Sequence, residues 1–148
     1  MTRPRSIFAL MMAFLMAFLV SCSSVEAKVP TTYTAAQIQQ IQRSVPTLTE
    51  LRSRMDKLGT LIQKRNWVDT RTYIHGPLGE LRSAMRTVSG SLLPKAQEQA
   101  VDLTKSLFAD LVEIDNAAKA ADYAKITASY RKAVNDFDTF LQLIPKAQ

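Results

Sequence analysis

Apolar residues recur every three or four positions along most of this chain, which is the period of helices that bury one stripe. The first stripe is Ile38, Ile41, Val45, Leu48, Leu51, Met55, Leu58 and Ile62. Thr34 opens it with a capping box, because Gln37 follows three residues later. The spacing predicts a helix to about Arg65, kinked or broken into a short and a long piece at Pro46. A second stripe, Trp67, Ile74, Leu78, Leu81, Met85 and Val88, predicts a helix capped by Asn66 and ended at Gly90-Ser91. Gly76-Pro77 lies inside it and should bend or locally open it. Pro94 starts the third helix, with Ala100, Leu103, Leu107, Leu111, Ile114 and Ala118 inward. The fourth begins near Asp122, carries Tyr123, Ile126, Tyr130, Val134, Phe137, Leu141 and Ile144, and stops at Pro145. Glu98 and Asp102 near the third helix start, and Asp122 at the fourth, suit the helix dipole. Four amphipathic helices with short connections predict an all-α, up-down-up-down four-helix bundle over residues 34–148, about 30 Å long. Trp67, Ile74, Leu81, Leu107, Tyr130 and Phe137 are its expected core.

The N-terminal pattern is different. Arg3 and Arg5 precede an unbroken apolar run of 14 residues, Ile7 to Val20. A membrane-spanning helix needs about 20 apolar residues, so residues 1–21 read as an export signal. Two cleavage sites compete. Val25-Glu26-Ala27 suits ordinary signal peptidase, whereas Leu19-Val20-Ser21-Cys22 has the form of a bacterial lipobox. Cys22 is the chain's single cysteine and sits just past the apolar run, which favours lipid attachment there. Residues 22–33 carry no period and are expected to be a flexible tether from a membrane-held lipid to the bundle.

The chain has 148 residues and a formal net charge of +6. One cysteine rules out an internal disulfide and any cysteine-built metal cluster within one chain. One histidine, His75, rules out a His-rich metal centre. There is no Glu-x-x-His pair for a di-iron bundle, no Cys-x-x-Cys-His for haem attachment and no P-loop. Met55 and Met85 lie on apolar stripes and read as core, not as haem ligands. No catalytic residue, metal ligand set or cofactor is expected, nor a small-molecule substrate. A metal shared between His75 and a carboxylate from elsewhere stays open beside the plainer reading of a solvated or interface histidine.

Charge is uneven. Residues 22–93 hold ten basic and five acidic side chains, against seven and eight in residues 94–148. On a helical wheel Arg71, His75, Arg82 and Arg86 share one side of the second helix, beside its apolar seam. They form either a solvated face or a docking face for an acidic protein surface. Export takes the chain away from nucleic acid.

The run Asn66-Trp67-Val68-Asp69-Thr70-Arg71-Thr72-Tyr73-Ile74-His75-Gly76-Pro77-Leu78-Gly79-Glu80-Leu81-Arg82 closely resembles the cyanobacterial PsbQ-like proteins. Ser91-Leu92-Leu93-Pro94-Lys95, Asp115-Asn116-Ala117-Ala118-Lys119 and Asp136-Phe137-Asp138-Thr139-Phe140-Leu141 extend the likeness over the expected mature chain. The resemblance implies a non-catalytic extrinsic subunit of photosystem II, beside the other extrinsic lumenal subunits. It would stabilise the oxygen-evolving manganese–calcium cluster, with calcium binding implied only indirectly, at family level. It also implies a lipid-anchored peripheral protein of the thylakoid lumen. The rival reading is a generic lipid-anchored helical adaptor or assembly factor on another bacterial envelope complex.

Overall fold

The computed structural model describes residues 30–147; the expected export signal over residues 1–21 and the expected lipid site Cys22 lie outside them. Among the described residues the regular structure is entirely helical. Six helices follow in order: α1 (Ala35–Gln42), α2 (Val45–Gln63), α3 (Trp67–His75), α4 (Leu81–Ser89), α5 (Pro94–Lys119) and α6 (Tyr123–Gln142).

Local chemistry accounts for most boundaries. The Thr34 side chain accepts a hydrogen bond from the Gln37 amide, and the Gln37 side-chain oxygen accepts one from the Thr34 amide, closing the capping box. Pro46 lies in the first turn of α2, where a missing amide costs little, so the break falls at Arg43-Ser44. Asn66 and Asp122 cap α3 and α6 by accepting from the Asp69 and Lys125 amides. Pro94 starts α5 and holds Leu93 extended before it. Glu98 and Asp102 lie beyond the first turn of α5, out of useful reach of its dipole.

At Gly76-Pro77 the expected bend is a complete interruption. Residues 76–80 form turns, and Leu78 is buried from within that turn. Arg54 of α2 fastens the segment, donating to the Pro77 carbonyl and to Glu80, both at 2.7 Å, while its other arm reaches Glu50 at 2.6 Å.

A single core joins these elements. α5 packs on α3, α4 and α6, its pairing with α6 being the most extensive, and α2 packs on α3, α4 and α6. Leu81, Leu107 and Phe137 are fully buried. Trp67, Ile74 and Tyr130 are only half-buried, packed against the core's edge. On α3 the fully buried side chain is Thr70, whose hydroxyl is satisfied by the Asn66 carbonyl at 2.7 Å. Trp67 instead meets Tyr123 at a ring separation of 6.3 Å, and the Arg65 guanidinium lies 4.7 Å from that tyrosine ring. These three residues close the end of the molecule where α2 turns into α3 and α5 into α6.

Tyr130 reaches from α6 to α2 and donates to the Met55 carbonyl at 3.0 Å. Gly59 makes that approach possible, since a Cβ there would collide with the tyrosine hydroxyl and ring. Burial raises the Tyr130 pKa above its ordinary value. Nearby, Arg52 of α2 clasps Asp138 of α6 through Nε at 2.6 Å and Nη2 at 3.2 Å.

Candidate functional site

The wheel that groups Arg71, His75, Arg82 and Arg86 holds for one continuous helix. The break at residues 76–80 invalidates that wheel, because it resets the rotation between α3 and α4. Packing restores the alignment. His75, Arg82 and Arg86 all line grooves along α5, and Arg71 reaches a carboxylate of α5.

That carboxylate is Asp115. It lies on the core-facing side of α5, next to Ile114 and one turn before Lys119, and its side chain is 13% exposed. Arg71 Nε donates to Oδ1 at 3.1 Å, His75 Nε2 lies 3.1 Å from the same oxygen, and Lys119 Nζ is 3.2 Å from Oδ2. Burial by itself would raise the Asp115 pKa; the hydrogen bonds from Lys119, His75 and Arg71 together outweigh it and lower it below the ordinary value. One buried anion thus holds three cationic or potentially cationic side chains on the surface around it.

Arg82 is positioned differently. Its guanidinium lies 3.7 Å from the centroid of the Phe108 ring, a cation–π stack that leaves its donors free for a partner. Arg86 lies one turn further along α4, on a groove shared with Val101, Thr104 and Lys105 of α5. Lys105 is also within 3.3 Å of exposed Asp102. Sequence reading missed Asp115, Phe108, Lys105 and the exposed valines of α5. Asp115 carried one legible signal, an acidic residue between Ile114 and Ala118 on an apolar stripe with Lys at the fourth position after it.

By contrast, other cations of the same half are absorbed into the scaffold. Arg52 and Arg54 are tied to carboxylates of α2, α6 and the Gly76–Glu80 turn, and the hydrogen bonds from Arg52 to Asp138 and from Arg54 to Glu50 keep their pKa above the ordinary arginine value, against the opposing effect of desolvation. Among the described residues no group of three His, Cys, Asp or Glu side chains gathers where a metal ion could sit, and no helix is long and apolar enough to cross a membrane.

Comparison with known proteins now adds what geometry cannot. Residues 2–145 match the PsbQ family, described as oxygen evolving enhancer protein 3. The chain belongs to the PsbQ family. A curated relative, CyanoQ of Synechocystis sp. (strain ATCC 27184 / PCC 6803 / Kazusa), is 45% identical over 148 residues, covering 99% of each chain. The likeness therefore includes α3, the interrupted segment, α4 and α5, the elements that build the basic face.

Proposed function

We propose that the chain is a non-catalytic extrinsic subunit of photosystem II. It docks on the lumenal face and helps to stabilise the oxygen-evolving manganese–calcium cluster, next to other extrinsic subunits. Membership of the PsbQ family over residues 2–145 carries this reading.

In it, the helices form an up-down-up-down four-helix bundle, with α3 and α4 together making one of the four rods. Support comes from the packing: α2 touches α3–α4, α3–α4 touch α5, α5 touches α6, and α6 touches α2, which closes a ring. Residues 1–21 act as a lipoprotein-type export signal, Cys22 receives the lipid, and residues 22–33 tether the bundle in the thylakoid lumen. Arg71, His75, Arg82 and Arg86 form the contact with the photosystem.

A tagged full-length chain recovered from thylakoids should bring photosystem II subunits with it; recovery of another envelope complex in their place would overturn the reading. Mass spectrometry of the native N-terminus should find lipidated Cys22, whereas an unmodified chain starting at Lys28 would remove the anchor. Arg82→Ala with Arg86→Ala, in a chain lacking the anchor, should reduce co-purification and leave helicity unchanged. The anchor must be absent there, because tethering raises the effective concentration and masks a lost contact.

A further inference from the structure

The two grooves along α5 meet at Arg82, which lines both. One, of about 420 Å³, has Leu78, Phe108, Leu111 and Val112 in its walls; the other, of about 440 Å³, has Val101 and Thr104. Together they run beside α5 from Gln97 to Asp115, which is about 27 Å at about 1.5 Å per residue. Val101 and Val112 are 39% and 58% exposed, the only two large apolar side chains of α5 left so open. They are three helical turns apart and therefore on one side of the helix. His75, Arg82, Arg86 and Lys105 edge this apolar line, and the one carboxylate in its walls, Asp115, is already engaged by cations.

Resting on the photosystem II reading above, we propose that this groove receives a short acidic amphipathic helix of a partner protein. Its apolar seam lies on Val101 and Val112, and its carboxylates face Arg82, Arg86, Lys105 and the exposed edge of His75. Charge complementarity selects an acidic occupant, and the helical spacing of the two valines selects a rod with the same period. The concave shape selects a protein segment over a bilayer: a rod enters a channel between helices, while a membrane surface meets convex apolar ridges. Arg82 is the pivot of the site, since it sits at the junction of both halves with its fork held flat on Phe108.

The test uses the full chain and photosystem II core particles stripped of extrinsic subunits. Val112→Glu and Arg86→Glu are each expected to weaken binding about tenfold, the first by setting a carboxylate in the apolar seam and the second by reversing a charge at a complementary interface. Val68→Glu and Arg131→Glu make the same changes at exposed positions outside the groove and should stay within about twofold of wild type. A photo-crosslinking residue at position 112 should label a segment whose apolar residues recur every three or four positions between carboxylates.

Equal losses in all four variants, or none in the groove pair, overturn the proposal while leaving photosystem binding intact. So does an adduct on lipid, or binding to phosphatidylglycerol vesicles that shows the same mutant pattern. Failure of the wild-type chain to bind the particles defeats the photosystem reading instead. The groove is then judged with a synthetic helical peptide of Leu and Glu at that spacing, about 16 residues long. Preference over a scrambled isomer of about tenfold, abolished by Val112→Glu, upholds it, and equal affinity for the two peptides overturns it.

Discussion

α5 and α6 run for 26 and 20 residues without interruption, whereas the span across from them is cut into α3 and α4, nine residues each. The long pair buries Leu107, Ile114, Phe137 and Phe140 completely. The cut span buries less from α3, where Thr70 is the one fully buried side chain and Trp67 and Ile74 remain half-covered. Yet the cut span presents Arg71, His75, Arg82 and Arg86, and the interruption between its halves is what lets Leu78 turn inward while His75 stays at the rim. The long pair commits its inward faces to mutual burial and keeps for a partner only what lies outside them, such as Val101 and Val112 of α5. A span that gives up part of its burial can hold cations on a face shaped by its neighbour.

This contrast makes predictions that differ between the two regions. The largest effect belongs to the long pair: Phe137→Ala should cost about 3–5 kcal/mol in chemical denaturation, because a fully buried ring leaves a cavity. Trp67→Ala, at the edge of the cut span, should cost only about 2 kcal/mol, as a half-covered ring forfeits part of that burial. Equal losses at the two sites would mean that Trp67 is as much a core residue as Phe137.

Gly59→Ala tests how the long pair is locked to α2. The new methyl must displace the Tyr130 ring and break its bond to Met55, so a loss of about 1–3 kcal/mol is expected despite alanine's better helix propensity. A gain in stability would mean that the tyrosine moves aside freely.

Asp115→Asn probes the joint between the regions and should cost about 1 kcal/mol at neutral pH, since three partners lose a charged acceptor but are themselves substantially exposed. The sign with pH follows from a carboxyl whose folded pKa lies below its ordinary 3.8. The wild-type advantage is complete above that ordinary value and disappears as pH falls through the folded one. Denaturation curves of the two proteins should converge in acid; a difference that grows there would contradict the ion-pair account.

The smallest effect is at the loop after α5. Ala121 has a φ of 53°, a left-handed conformation that suits glycine. Ala121→Gly should therefore stabilise by up to about 1 kcal/mol, read as a rise in melting temperature.

Helix positions were legible because the signals are local. The Thr34-Gln37 box, the Asn66 and Asp122 caps and the prolines at 46 and 94 act within a turn of where they stand, so the same residues that announce an end also build it. Family membership was legible for a related reason: the run from Asn66 to Arg82 is dense in residues with no generic helical purpose. The four candidate cations could be named, but their company could not.

Periodicity therefore determined that the described residues are helical and roughly where each helix lies, and the charge count determined which half is basic. Only the tertiary structure decided that Trp67 lies at the core's edge while Thr70 goes inside, that Arg52 and Arg54 belong to the scaffold, and that Asp115 gathers Arg71, His75 and Lys119. The physical reason is range. A helical wheel fixes directions within one unbroken rod, and it loses them when the chain turns at residues 76–80. From there, the direction each cation faces depends on how α3 and α4 settle separately against α5, a packing outcome set by contacts far apart in sequence.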